Sequence, residues 1–301
     1  SYTHAEEARG ADQVNTAIAM TVFDRPHYLS ATLASLAQVE GIQDYPILFY
    51  IDGPYDDMSA ERCKESLRLC GQFEHPDSTI MVRKKNLGVA NQVYDSKQSL
   101  FQAGYDAVIS LVDDVEYSPC ALQALLTAYN VALGSHDPSR ITMDVFNRTS
   151  DSREVKEKEL GMIIPGTDQV AYIMHKEVWD SIEPHLREYI TRFIQPFRNS
   201  LRPYRDRNHN KIKLWFAELI GGFSPHYEHV TGGGFSTSQD ACVEVAMLKH
   251  NILRYTTKVN HVRHIGLYGE HMYPELHKNM GFDSTRLDIF STSQVTDALE
   301  K

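Results

Sequence analysis

Asp106-Ala107-Val108-Ile109-Ser110-Leu111-Val112-Asp113-Asp114-Val115-Glu116-Tyr117-Ser118-Pro119 is the stretch whose reading decides the fold. Its first half is apolar and β-branched, the pattern of a buried strand. Asp113, Asp114 and Glu116 follow at the strand end, and Ser118-Pro119 offers a cap and a first residue for a helix beginning near Cys120. In an open α/β sheet, ligands bind outside the carboxyl ends of the strands, where these acids lie. Oxygen-rich clusters there suit Mg2+ or Mn2+ held jointly with substrate phosphates. Acids are also common in solvated turns, so the motif needs companions before it points to chemistry.

The companions come at regular intervals. Toward the N-terminus, Ala17-Ile18-Ala19-Met20-Thr21-Val22-Phe23 reads as a first buried strand. It breaks at Asp24-Arg25-Pro26, where Asp24 or Arg25 can precede a helix with Pro26 in its first turn. Leu29, Leu33 and Leu36 then recur at helical spacing. Pro46-Ile47-Leu48-Phe49-Tyr50-Ile51 is a second strand ending at Asp52-Gly53-Pro54, with a helix to follow over residues 59–70. Residues 78–83 form a third strand, and Asn86-Leu87-Gly88-Val89-Ala90 turns into a helix reaching Ala103. Beyond the opening stretch, a helix covers residues 119–133. This alternation predicts a mostly parallel central sheet with helices on both faces. Asp24 and Arg25, Asp52, and Asp113 and Asp114 then converge on one sheet edge. The plain alternatives are a surface ion pair for Arg25 and a turn for Asp52-Gly53.

The second half is less regular. Residues 140–146 and 170–174 read as strands, residues 176–189 as a helix, and residues 147–159 as a polar loop. Residues 197–213 break pattern, mixing Arg198, Arg202, Arg205, Arg207, Lys211 and Lys213 with polar residues; a mobile lid or a solvated excursion would both read this way. Thr231-Gly232-Gly233-Gly234-Phe235 removes side chains where a backbone could approach a ligand, and a helix follows over residues 236–250. Histidines gather late, at His261, His264 and His271. Trp179 and Trp215 suit core packing more readily than sugar stacking.

Composition sets the class. The chain has 301 residues, enough for a sizeable core, and a formal net charge of -10. That charge argues against bulk attraction to nucleic acid or anionic membrane, though not against a phosphorylated small substrate. No apolar run reaches the ~20 residues that span a bilayer. The first residue is Ser1 rather than Met, which leaves room for an upstream anchor; the expectation is a cytoplasmic protein, membrane-peripheral if such an anchor exists. Cys63, Cys70, Cys120 and Cys242 lack metal-site spacing and read as free core thiols, which leans toward a reducing compartment.

Taken in order, these residues carry a resemblance. Phe23-Asp24-Arg25 is similar to a strand end that reads CDR, and Val112-Asp113-Asp114-Val115-Glu116-Tyr117-Ser118-Pro119 to the metal motif EDDLEVAP. Both belong to nucleotide-sugar glycosyltransferases of the GT-A fold, of the N-acetylglucosaminyltransferase I type. The turn at Asn86-Leu87-Gly88-Val89-Ala90-Asn91 also resembles that of bacterial family 2 glycosyltransferases. Val112 stands where that motif has its first acid.

The resemblance implies a GT-A (Rossmann-like) α/β fold, with a mostly parallel central sheet and a less regular C-terminal acceptor half. Residues 1–15 would be a polar N-terminal segment, 16–135 the nucleotide-sugar-binding half, 136–287 the acceptor-binding and catalytic half of the same domain, and 288–301 a peripheral tail. It implies inverting transfer of a sugar from a nucleotide diphosphate donor, most readily a UDP-sugar, to a hydroxyl of a carbohydrate or glycoconjugate acceptor. Asp114 and His264 would hold Mn2+ (or Mg2+), which stabilises the departing diphosphate as a Lewis acid. Asp24, Arg25, Asn86, Asp113 and Gly233 would line the donor site, with Asp52 accepting from the uracil imide. Asp240, at the start of the helix after the glycine loop, would be the general base, with a dipole-favoured first-turn acid as its plain alternative. Two other readings remain: a sugar-1-phosphate nucleotidyltransferase, which expects a glycine-rich basic loop after the first strand, and a non-catalytic carbohydrate-binding member of the fold.

Overall fold

The computed structural model describes residues 14–148, 151–166, 168–195, 204–222, 237–268 and 273–301. Strands β1 (Thr16–Val22), β2 (Ile47–Ile51), β3 (Ser78–Val82) and β4 (Ala107–Val112) alternate with helices α1 (Pro26–Leu36), α2 (Asp57–Gly71) and α3 (Val89–Gln102). A short β5 (Val115–Tyr117) follows, then α4 (Ala121–Leu133). Next come β6 (Ile141–Asp144), α5 (Arg153–Glu159), β7 (Ile163–Pro165), β8 (Tyr172–His175) and α6 (Lys176–Tyr189), which runs on as a π-turn over Ile190–Ile194. The chain closes with α7 (Tyr204–Leu219), α8 (Gln239–Lys249), β9 (Leu253–Thr257), β10 (Val262–His264), α9 (Pro274–Asn279) and α10 (Thr292–Leu299).

Eight strands form one sheet in the order β3-β2-β1-β4-β8-β6-β9-β7. Pairings β3-β2, β2-β1, β1-β4 and β6-β9 are parallel. The antiparallel contacts all involve β8 or β7, so the N-terminal half is the parallel α/β unit that the alternation predicts. β5 and β10 make a separate antiparallel ribbon.

Two apolar layers cover the sheet. Ile18, Met20, Ile109 and Leu111 point into one with Leu29, Leu33 and Leu36 of α1 and Leu125 of α4. Ala17, Ala19 and Val108 point into the other with Phe101 of α3, Trp179 of α6 and Cys242 and Val245 of α8. Alternate residues of one strand thus feed opposite layers, which is why these strands are apolar throughout.

Several expectations change. Residues 147–159 are not all loop, because α5 occupies their second half and buries Lys156, whose Nζ donates to Arg286 O (2.7 Å) and pairs with Asp288 Oδ2 (2.9 Å). The pattern-breaking segment is helical from Tyr204, with Ile212, Trp215 and Phe216 buried at helical spacing; the polar run ahead of them hid that stripe. α4 begins at Ala121 with Cys120 as its cap residue rather than at Ser118-Pro119. The tail is not peripheral, since Val295 and Leu299 of α10 join the core against α4. Both tryptophans are buried and all four cysteines are free and buried. Gly233 with its glycine loop, and His271, lie outside the described residues.

Gly161 shows how closely the tail docks: a Cβ there would sit 2.0 Å from Ala298 O. Gly161→Ala is expected to cost about 2–3 kcal/mol of stability by overpacking, read by denaturant unfolding.

Candidate functional site

The site is built where β1 and β4 run side by side. Thr21 is paired with Val112, so the turns leaving the two strands are neighbours. After β1, Arg25 is the cap residue of α1 with Pro26 in its first turn. Its fixed φ suits a helix start and turns the chain directly over the strand end. After β4, Asp113 and Asp114 fill the turn before β5.

Arg25 spans both acids. Its Nη2 lies 2.5 Å from Asp113 Oδ1 and its Nη1 2.7 Å from Asp114 Oδ2. A guanidinium fork is suited to such paired oxygens, and the bonds are charge-assisted. Asp113 Oδ2 also accepts from Phe23 N at 3.0 Å. Behind the turn, Thr32 of α1 donates to Asp113 O (3.0 Å) and accepts from Val115 N (3.2 Å), so the acidic turn is anchored on both sides.

The β5–β10 ribbon supplies the third wall. Val115 pairs with His264, and Arg263 forms an ion pair with Glu116. His264 Nε2 thereby comes within 3.4 Å of Asp114 Oδ2, while its ring stacks on Phe282 at 4.5 Å. Asp114 O accepts from Ile265 N at 2.9 Å, bringing Gly266 against the carboxylate. A Cβ at Gly266 would lie 2.3 Å from Asp114 Oδ2 and 2.9 Å from His264 Cε1.

The two carboxyls are shifted in opposite directions. Burial pushes the Asp113 carboxyl up, against the pull of Arg25. Burial acts in the same sense on Asp114, but Arg25 and His264 outweigh it and hold that carboxyl well below the usual range. Among the described residues, no group of three or more His, Cys, Asp or Glu side chains is arranged to hold a metal ion. Asp114 and His264 still fit two places on one: their 3.4 Å separation is near the ~3 Å between adjacent ligands of an octahedral cation with bonds of about 2.1 Å. Gly266 keeps the space beside that oxygen free of a side chain. A cation otherwise held by phosphates and water needs little more from the protein.

The remaining candidates form neighbouring knots on the same edge. Asp24 pairs with Arg62 of α2. Asp52 accepts from Gly53 N (2.8 Å), Leu87 N (2.8 Å) and Gly88 N (2.9 Å), and burial raises its carboxyl despite those donors. Asn86 Nδ2 donates to Gly53 O at 3.1 Å, so both loops are tied together. Gly88, at φ +77, then admits α3. Phe23 and Tyr55 meet at the rim with ring centroids 5.9 Å apart, and Tyr55 is exposed.

Asp240 belongs to another wall. It is exposed in the first turn of α8, behind the cap Ser238, whose side chain accepts from Ala241 N. Gln169 Nε2 reaches Asp240 O at 3.4 Å. A line of contacts joins this wall to His264. Phe282 carries Arg148 on its ring (5.0 Å), Arg148 pairs with Asp168, and Arg254 donates to Asp168 O (2.9 Å) and pairs with Glu244 of α8 (2.9 Å). His261 is instead sealed in the core, with Nδ1 3.5 Å from Cys120 Sγ and its pKa pushed by burial down to about 4.

Thr32, Gly266, Phe282 and the Arg148–Asp168–Arg254–Glu244 line escaped the sequence reading. Only Gly266 had a visible signal, a glycine beside the chosen histidine. Burial lifts Glu244 to about 7 against the pull of Arg254. A carboxyl raised on folding favours the folded state fully below its ordinary pKa of 4.5 and loses that contribution as pH climbs to about 7. Glu244→Gln is expected to flatten the decline of unfolding free energy between about pH 5 and pH 8, by up to ~3 kcal/mol. An unchanged pH profile would mean that Glu244 stays ionised throughout.

No protein-family model matches the sequence, and no curated protein does. Solved structures align with it at low similarity. A nucleotide-diphospho-sugar transferase candidate from Desulfovibrio desulfuricans G20 is 16% identical over 44% of this chain and 58% of its own, with a TM-score of 0.29. The mannosyltransferase PcManGT from Pyrobaculum calidifontis, solved with GDP-Man and Mn2+, is 9% identical over 79% and 74%, with a TM-score of 0.41. Glucosyl-3-phosphoglycerate synthase from Mycobacterium tuberculosis, solved with Mn2+, UDP-Glc and phosphoglyceric acid, is 14% identical over 60% and 66%, with a TM-score of 0.35. The chain spans less than two thirds of the length of the first and the third of these. Its own functional reading rests on the knot of Arg25, Asp113, Asp114 and His264.

Proposed function

We propose that this chain is a metal-dependent glycosyltransferase of the GT-A kind. It would move a sugar, with inversion, from a nucleotide diphosphate donor, a UDP-sugar by preference, to a hydroxyl of a carbohydrate or glycoconjugate. The observation that carries the reading is the Arg25 fork over Asp113 and Asp114 with His264 beside it, at the carboxyl ends of β1 and β4.

In this reading Asp114 and His264 hold Mn2+ or Mg2+, which when bound neutralises charge growing on the diphosphate as the glycosidic bond breaks. Asp114 suits the task because Arg25 and His264 already keep it ionised. Arg25 acts as its counter-charge in the resting protein and turns to donor oxygens as they arrive. Asp113, tied to Phe23 N, orients the turn and faces the nucleotide.

Asp52 takes a different part from direct base recognition. Backbone N–H groups already occupy its oxygens, so it shapes the 86–88 turn against Gly53 together with Asn86. Asp24, locked to Arg62, fixes the base-side wall. Asp240 takes the acceptor proton, its first-turn place favouring an ionised carboxylate. The Arg254–Glu244 pair one turn further along steadies that helix.

The nucleotidyltransferase reading fits less well, because β1 passes through Phe23-Asp24-Arg25 straight into α1, with no glycine-rich basic loop. Calorimetry with UDP is the direct test. Binding in the presence of Mn2+ and its loss on chelation are expected; no metal-dependent binding of UDP, GDP, CDP or dTDP would leave only a non-catalytic member of the fold. A donor screen with a clear preference for GDP- or dTDP-sugars would overturn the choice of uridine, which rests on the resemblance of the motifs and not on Asp52, and leave the transferase reading standing.

A further inference from the structure

Two lysines are buried in the described part of the chain, and they are treated in opposite ways. Lys156 is fully provided for by Asp288 and Arg286 O. Lys97, only 3% exposed, has nothing but the face of Tyr172, whose ring centroid lies 5.2 Å from its Nζ. Among the described residues no carboxylate pairs with it and no acceptor takes its protons. A cation–π contact returns less than withdrawing an ammonium from water costs. The described residues therefore carry a cation whose counter-charge they do not supply.

Position gives that cation a direction. Ala90, Lys97 and Phe101 share one face of α3, the face packed on β1 and β4. α3 starts at the functional edge, where Gly88 N donates to Asp52. Side chains of a helix lean toward its N-terminus, so Lys97 points toward that same edge. Tyr172 is paired with Ser110, two residues short of the end of β4 and three short of Asp113. Ser110 Oγ is shut off from solvent without a hydrogen-bond partner, whereas Lys97 Nζ is not among such sealed atoms. The stem is buried while the ammonium keeps some contact with solvent.

We propose that Lys97 is an anion-binding residue of the substrate cleft, receiving a phosphate-type oxyanion that provides the missing counter-charge. The class of ligand follows from Lys97 itself. Only the source of the phosphate, the donor's diphosphate or a phosphorylated acceptor, rests on the function proposed above.

Two probes separate those sources: UDP with Mn2+, and inorganic phosphate alone, each titrated calorimetrically into wild type and Lys97→Met. At least tenfold weaker binding is expected in the variant, with Tm unchanged or raised because methionine removes an uncompensated charge. Loss in the UDP titration assigns the donor's diphosphate, and loss confined to inorganic phosphate assigns the acceptor. Lys97→Arg should retain most of the affinity. A measurement on the unmodified chain guards against misfolding of the variant: mass spectrometry after amine acetylation should show Lys97 protected by the same probe. Equal affinities of wild type and Lys97→Met for both probes, or absence of protection, would overturn the proposal. Failure of wild type to bind UDP, or GDP or dTDP in its place, would sink the glycosyltransferase reading, while the phosphate titration would still report on Lys97.

Discussion

Asp114→Asn is expected to lower metal-stimulated sugar transfer by roughly a thousandfold or more, equivalent to ~4 kcal/mol of transition-state stabilisation. Asparagine keeps the size of the side chain but not the charge that a cation and a departing diphosphate require. The fold should survive, because Arg25 retains Asp113 at 2.5 Å and Phe23 N still holds the turn. Circular dichroism and Tm check the fold, calorimetry with UDP and Mn2+ checks the site, and a donor-hydrolysis assay checks turnover. Unchanged metal-stimulated turnover would remove Asp114 from the machinery and the proposed function with it.

Gly266→Ala is expected to damage the same site without touching any functional group. The new methyl would sit 2.3 Å from Asp114 Oδ2 and 2.9 Å from His264 Cε1. The carboxylate is not a loose end that can swing away: Arg25 holds it at 2.7 Å, and His264 is stacked on Phe282. Either the β10 exit shifts or Asp114 leaves its partners. The expected cost is about 1–3 kcal/mol of stability and a 10–100-fold loss of metal-dependent UDP affinity, the usual scale for disturbing what orients a ligand. Comparison with Gly161→Ala separates the two effects, since that clash is equally severe but lies against the tail. Should Gly266→Ala lose stability while binding UDP and Mn2+ as wild type does, the space beside Asp114 has no functional meaning.

How much was legible varied with the range of the interactions involved. The first four strands and their helices follow from local pattern, since a strand buried on both faces must be apolar at every position. Arg25, Asp113 and Asp114 followed too, because acids and a cation directly after successive parallel strands are delivered to one edge by topology alone. The segment from Tyr204 was harder, as its buried stripe begins behind a run of polar residues. α10 was harder still, because nothing in a polar tail announces that Val295 and Leu299 complete the surface of α4.

By itself, then, the sequence determined the order of elements in the N-terminal half and the sheet edge on which the candidate acids gather. These depend on periodicity and on chain direction, which are properties of neighbouring residues. Only the tertiary structure decided which groups meet: the Arg25 fork across two turns, His264 delivered by a ribbon from far along the chain, and Asp52 committed to backbone. It also decided that, among the described residues, Lys156 has a carboxylate partner and Lys97 has none. Partners separated by a hundred residues or more are chosen by packing, and no local pattern records the outcome.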